Sequence, residues 1–237
     1  MLVLGIDTSG YANAIGLVDG ERVLADFAFA TRNESLARIT LNVDNVLREN
    51  GLGLEDIGGF GVGLGPGSWT GIRIGVTVGK MLAYGTGKPI KGIATLEALA
   101  YEARDVQKLV CPIIGAGAGG AVYAAFYRFQ NGEIHHEGDY YVGDIPGLAD
   151  LITEPVVLVA TKVAEYRDAI CQRLKSDTIE TMEKALSGAV VARLAAAHLE
   201  DGRHDDTLAL APLYLKESTA RAFVNRYRKQ VQATQQG

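Results

Sequence analysis

The chain has 237 residues, 48% of them hydrophobic and 22% charged, which is enough to bury a sizeable core in one large domain or two modest ones. Its net charge is −5, and an acidic chain does not grip a phosphate backbone unaided, because that grip rests on Lys and Arg. No run approaches the ~18 apolar residues that a membrane-spanning helix needs.

Met1 to Ile6 reads as an apolar strand closed by the turn cluster Asp7-Thr8-Ser9-Gly10. Asp7 interrupts the run early and no basic region precedes it, which argues against a signal peptide and for a cytoplasmic protein without membrane association. Strands at 11–18 and 23–29 follow, joined by the hairpin signal Asp19-Gly20. Leu36, Ile39, Val43, Val46 and Leu47 recur at helical spacing over 34–50, and Gly51 supplies the stop. A strand at 57–63 runs into a glycine-rich turn and a second helix over 70–84. A short strand at 90–93 and a helix at 95–104, with Thr95 as its N-cap, complete the first half. The second half reads as strands at 109–114, 121–129 and 133–142, the last two joined by Asn131-Gly132. A short helix at 147–152, a strand at 156–160 and helices at 164–174 and 187–199 follow. The tail 217–237 is polar and is expected to fray. The order is three meandering strands, then helices alternating with strands, then a partial echo. Two stacked α/β units fit it.

Two turns carry candidate chemistry. Asp7, Thr8 and Ser9 between apolar strands can line a phosphate or Mg²⁺ site, or Asp7 can simply cap its own backbone. In Gly65-Pro66-Gly67-Ser68-Trp69-Thr70-Gly71, glycines permit a sharp strand-to-helix turn, and Ser68 or Thr70 can cap the helix. Gly67, Ser68 and Thr70 are anion candidates there, against a purely structural turn. No Gly-Lys-Ser/Thr follows, so it is not a Walker loop.

Gly71, Gly75, Gly79 and Ala83 fall on one face of the second helix. Each glycine costs about 0.8–1.0 kcal/mol relative to alanine inside a helix, which implies a packing reason. Ile72, Ile74, Val76, Val78, Met81 and Leu82 make the helix apolar nearly all round, so it is buried either within the monomer or by another subunit. Cys111 and Cys171 form no C-x-x-C pair, and Cys111 reads as core. His135, His136, His198 and His204 form no metal-ligand motif, and His198 reads as structural, a cation suited to a helix C-terminus. No catalytic residue is assigned.

Gly-Pro-Gly-Ser-Trp-Thr-Gly-Ile-Arg-Ile-Gly at 65–75, preceded by Gly5-Ile6-Asp7-Thr8-Ser9, resembles the signature of the TsaB (YeaZ) family. Lys88-Pro89-Ile90, Gly92 and Thr95-Leu96-Glu97-Ala98-Leu99-Ala100 are similar to a further family segment, as are Val122 to Tyr127 and Pro212-Leu213-Tyr214-Leu215-Lys216. The chain departs from the family at Thr31 to Leu36, which lacks the usual histidine. It departs again at Gly115 to Gly120, which stands where Asp-Ala-Arg is common.

The resemblance implies an α/β protein with the actin-like ATPase (ASKHA) fold: two ribonuclease-H-like subdomains, each a mixed sheet flanked by helices. On that basis 1–104 forms the first, completed by the helix near 187–200, and 105–186 forms the second. It implies a non-catalytic scaffold for transfer of a threonylcarbamoyl group to adenosine 37 of ANN-decoding tRNAs. The implied partners are the catalytic paralogue TsaD, the ATPase TsaE and, through the complex, tRNA. ATP and Mg²⁺ are implied for the whole complex, no cofactor is assigned to this chain, and a homodimer is expected when it is isolated. The expected interface is Leu36, Ile39, Val43, Leu47, Gly75, Val78, Gly79 and Leu82, and Gly79→Leu is expected to abolish pairing. The alternative is a nucleotide-binding phosphotransferase or ATPase of the actin superfamily.

Overall fold

The computed structural model describes residues 1–30, 36–117, 119–175 and 179–216; the side chains of Ala30 and Leu36 and the polar tail 217–237 lie outside the described residues. The first half contains β1 (Leu2–Asp7), β2 (Ala12–Asp19), β3 (Arg22–Ala30), α1 (Leu36–Glu49), β4 (Gly59–Gly63), α2 (Trp69–Thr86), β5 (Ile90–Ile93) and α3 (Thr95–Tyr101). The second contains β6 (Leu109–Gly115), β7 (Val122–Gln130), β8 (Glu133–Gly143), α4 (Ile145–Asp150), β9 (Val156–Ala160), α5 (Val163–Leu174), β10 (Glu180–Glu183) and α6 (Gly188–Glu200).

The strands form two five-stranded sheets, ordered β3-β2-β1-β4-β5 and β10-β9-β6-β7-β8. Each has an antiparallel meander of three strands and two further strands added in parallel beyond the first. Read from the meander edge, the two orders are the same, so the partial echo in the sequence is a full repeat. The strand missing from the sequence reading is β10, whose Glu-Thr-Met-Glu has exposed or half-buried side chains and no apolar run to announce it.

Strand alternation sorts the core. Leu4, Ile6, Ile15 and Leu17 face α1 and α2, packing with Ile39, Val43, Leu47, Ile72 and Val76. Val3 and Val18 face the other way, onto Val191, Ala192 and Ala195 of α6. Gly16 and Gly188 bring α6 into backbone contact with β2, since a Cβ on either would collide with the other's main chain. On the second sheet, Cys111, Ile113 and Leu158 pack with α4 and α5, while Val110, Tyr127 and Val159 pack under Leu96, Leu99 and Ala103 of α3 and the turn after it. Helix α3 from the first half therefore covers the second sheet, and α6 from the second half covers the first.

Several local expectations change. The N-cap position of α3 is Ala94, and the Thr95 side chain is occupied elsewhere. Helix α3 ends at Tyr101, and α4 begins earlier than expected because Asp144 caps it, accepting from the Gly147 N–H at 2.9 Å. His198 lies in the last turn of α6, yet burial, reinforced by the Arg203 and Lys91 cations, lowers its pKa. It is not the dipole-matched cation that its position implied. Cys111 is core, and burial pushes its thiol far above the usual range.

Candidate functional site

The two glycine- and hydroxyl-rich turns meet. Asp7, at the end of β1, is fully buried and accepts the Ser9 N–H on Oδ1 at 2.8 Å and the Thr95 hydroxyl on Oδ2 at 2.8 Å. Thr95 Oγ1 also accepts the Gly65 N–H at 3.1 Å and stands 3.1 Å from Ser9 Oγ. The Ser9 carbonyl accepts the Ser68 N–H at 2.7 Å, and Thr8 Oγ1 donates to the Gly71 carbonyl at 2.6 Å. Ser68 Oγ caps α2 by accepting from the Gly71 N–H at 3.2 Å.

Glycine is required where these turns touch. Gly65 has φ +92°, in the region where a side chain is strained, and a Cβ at Gly63 would strike the Asp7 carboxylate. Burial raises the Asp7 pKa, and the hydrogen bonds from Ser9 and Thr95 pull it back in part.

The polar groups that could have addressed a phosphate are thus spent on one another. Asp7, Thr8 and Ser9 are at most 2% exposed, so they are not available to a ligand in this arrangement. Gly67 is half-buried, and Ser68 and Thr70 are exposed at the start of α2, with the Ser68 hydroxyl already committed to its cap.

The glycine ridge has an intramolecular explanation. A Cβ on Gly71 or Gly75 would collide with Thr8, and one on Gly79 would come within 3.2 Å of the Val62 Cβ. The ridge seats α2 on β1 and β4. Ile39, Val43, Leu47, Gly75, Val78 and Gly79, expected at a partner interface, are buried within this chain's own core. Leu82 is half-buried beside them, and the Leu36 side chain lies outside the described residues. Nor is α2 apolar all round: Thr70, Arg73, Thr77, Met81 and Tyr84 form an outward stripe.

That stripe is what the sequence reading missed. Met81 is 55% exposed and Tyr84 73%, and Leu41 on the neighbouring α1 is 57% exposed. Beside them runs a strap, residues 205–216. Asp205 anchors it, accepting the Gly92 N–H at 2.7 Å and pairing with Lys91 at 3.0 Å. Lys80 donates to the Leu208 and Leu210 carbonyls, both at 2.9 Å. Tyr214 stacks on Trp69 at 4.0 Å between ring centroids, and Arg73 Nε donates to its hydroxyl at 3.0 Å. Between α2 and the strap lies a groove of about 460 Å³. The Pro212 to Lys216 match was the available signal that the strap has a structural role, but nothing in it pointed to Trp69.

A second, smaller cavity opens between the sheets, where Tyr11 and Tyr166 stand near Gly115, with Lys162 and Glu165 on its wall. Among the described residues, no three His, Cys, Asp or Glu side chains group closely enough to hold a metal ion. No described helix is long and apolar enough to cross a membrane.

Two repeated mixed five-stranded sheets with helices on their faces define the actin-like ASKHA class. YeaZ from Pseudomonas aeruginosa superposes with a TM-score of 0.76 at 24% identity, over 90% of this chain and 99% of that one. A ROK hexokinase from Thermus thermophilus superposes at 0.53 and 14% identity, over 84% and 100%; both likenesses speak to the fold. The family model for TsaD, tRNA N6-adenosine threonylcarbamoyltransferase, matches residues 29–222. The chain is 36% identical over 132 residues to the tRNA threonylcarbamoyladenosine biosynthesis protein TsaB of Bacillus subtilis, and 35% identical over 139 residues to that of Escherichia coli. These stretches cover 56% and 58% of this chain and 57% and 60% of those proteins, so the chain spans less than two thirds of the curated relatives it matches. The chain belongs to the TsaB (YeaZ) family of tRNA threonylcarbamoyladenosine biosynthesis proteins, within the wider group that the TsaD model describes.

Proposed function

We propose that this chain is a non-catalytic scaffold subunit of the cytoplasmic complex that transfers a threonylcarbamoyl group to adenosine 37 of ANN-decoding tRNAs. It pairs with the catalytic paralogue TsaD, stabilises and activates it, and works alongside the ATPase TsaE. The observation that carries this reading is the closed turn. A phosphotransferase of this fold class would aim its first-strand carboxylate at a nucleotide, whereas here Asp7 is buried and bonded to Ser9 and Thr95. The outward stripe of α2 with Leu41 of α1 supplies the pairing surface. Contiguous exposed apolar side chains of this size mark interaction sites. The chain's acidity fits tRNA contact through the assembly rather than by this subunit alone.

The test is co-elution with the matched TsaD protein, comparing the native chain with Met81→Asp/Tyr84→Asp. Central apolar anchors are each worth about 2 kcal/mol or more, so affinity falls by roughly 30-fold or more while the circular dichroism stays native. Unchanged affinity refutes this surface. Tight Mg-ATP binding by the isolated chain, measured calorimetrically, would favour the alternative of a nucleotide-binding phosphotransferase.

A further inference from the structure

We propose that the cavity between the two sheets binds a small zwitterion, a free α-amino acid with a short apolar side chain. The proposal stands whether or not the chain pairs with TsaD. The cavity measures about 170 Å³. Clefts for drug-sized ligands run to about 300–1,000 Å³, and a cavity of about 150 Å³ accommodates benzene. The occupant is therefore a molecule of roughly six to nine non-hydrogen atoms, well short of a nucleotide.

The walls are apolar within and charged at the mouth. Leu99 of α3, Ile113 of β6 and Leu186, just before α6, form the apolar part, and Leu99 and Ile113 are buried. Leu186 closes against the β1–β2 turn, where a Cβ on Gly10 would stand 2.7 Å from its Cδ1. Tyr11 from that turn and Tyr166 of α5 approach from the two halves of the chain. A Cβ on Gly115 would lie 3.4 Å from the Tyr11 hydroxyl and 3.5 Å from that of Tyr166, so glycine keeps the space before both phenols open. Burial raises the Tyr166 pKa, and nearby Tyr11 and Glu165 add to the effect, so the phenol stays a neutral donor.

The charges at the mouth select the ligand. Lys162 Nζ and Glu165 Oε1 stand 3.7 Å apart, with side chains 70% and 71% exposed. An exposed pair of that kind contributes little, so either end can turn to a ligand. The neighbouring Thr161 hydroxyl is already committed, donating to the Lys184 carbonyl at 3.2 Å. A carboxylate alone would meet Glu165 as well as Lys162, and an amine alone would meet Lys162 as well as Glu165. A molecule with both charges on neighbouring carbons satisfies the two together, while its side chain rests on Leu99, Ile113 and Leu186.

L-Valine is the probe, titrated calorimetrically into the full-length chain. It is compared with 3-methylbutanoate, which lacks only the amino group, and isobutylamine, which lacks only the carboxylate. L-Valine binds at a single site, and each one-charge analogue binds about tenfold more weakly or worse, the loss expected for one charge-assisted hydrogen bond. Lys162→Met and Glu165→Gln, both at exposed positions, keep the native circular dichroism, and each lowers valine affinity about tenfold. Lys162→Met also erases the preference for valine over isobutylamine, and Glu165→Gln erases the preference over 3-methylbutanoate; a general loosening of the fold would produce neither change. Absence of saturable L-valine binding at millimolar concentrations overturns the proposal. Equal affinities for the three compounds in the native chain overturn it too. So do native affinities in both variants, because the ligand then sits elsewhere.

Discussion

Thr95 is the hinge pin of the closed turn, and its replacement by Val is the sharpest test of that turn. The side chain keeps its volume and loses one hydroxyl. That hydroxyl donates to Asp7 Oδ2 at 2.8 Å and accepts the Gly65 N–H at 3.1 Å, in a site without solvent exposure. Each buried polar group left unpaired costs about 1–3 kcal/mol. Two such groups, with partial repair by rotation of the nearby Ser9 hydroxyl, give a loss of about 2–4 kcal/mol. For a chain of this size that lowers Tm by about 4–16 °C. Urea unfolding followed by fluorescence of Trp69, the sole tryptophan and a member of the same turn, measures it. Thr95→Ser keeps the hydroxyl and stays within about 1.5 kcal/mol of the native chain. A Thr95→Val protein within about 0.5 kcal/mol of native would refute the view that this network holds the turns together.

Asp7 adds a pH signature. Its folded pKa lies above the ordinary carboxylate value, so the stability it contributes is full below that ordinary value and drains away as pH rises through the raised one. Relative to non-titrating Asp7→Asn, the native chain should therefore lose stability in urea titrations as pH rises above the ordinary carboxylate value, and parallel curves would contradict this. Gly79→Leu should act through the fold rather than through pairing alone. Its Cβ would stand 3.2 Å from the Val62 Cβ, and overpacking of that kind costs about 1–3 kcal/mol, visible as a lower denaturation midpoint of the isolated chain. Asp205→Ala removes the Gly92 hydrogen bond and the Lys91 pair, both only partly exposed, and should cost about 1–3 kcal/mol in the same assay.

Much of the fold was legible in the chain. Short continuous apolar runs bounded by turn residues placed β1, β2, β4 and β9, and Asp19-Gly20 and Asn131-Gly132 marked the β2–β3 and β7–β8 hairpins. Strand β10 was not legible, because a short edge strand needs no buried face. The candidate site divided along the same line. The Gly65 to Gly71 turn and Asp7 could be singled out from residue types and spacing, but their burial against each other depends on Thr95, 88 residues from Asp7 in sequence. The glycine ridge announced close packing without naming the neighbour, since spacing within a helix specifies a face and not what meets it. Thr8 and Val62 of the chain's own sheet are that neighbour. Buried and outward apolar residues look alike in a list, which is why the exposed Leu41, Met81 and Tyr84 could not be told from the buried Ile39 and Val43 by residue type.

The scaffold role is tested most directly by threonylcarbamoyladenosine formation on a substrate tRNA, read by nucleoside mass spectrometry. The matched TsaD, TsaE and adenylate-forming proteins are supplied with and without this chain. Modification is expected only when the chain is present, and is expected to be lost when Met81→Asp/Tyr84→Asp replaces it. Equal modification without the chain would contradict the scaffold role and leave the family's fold in place without that function.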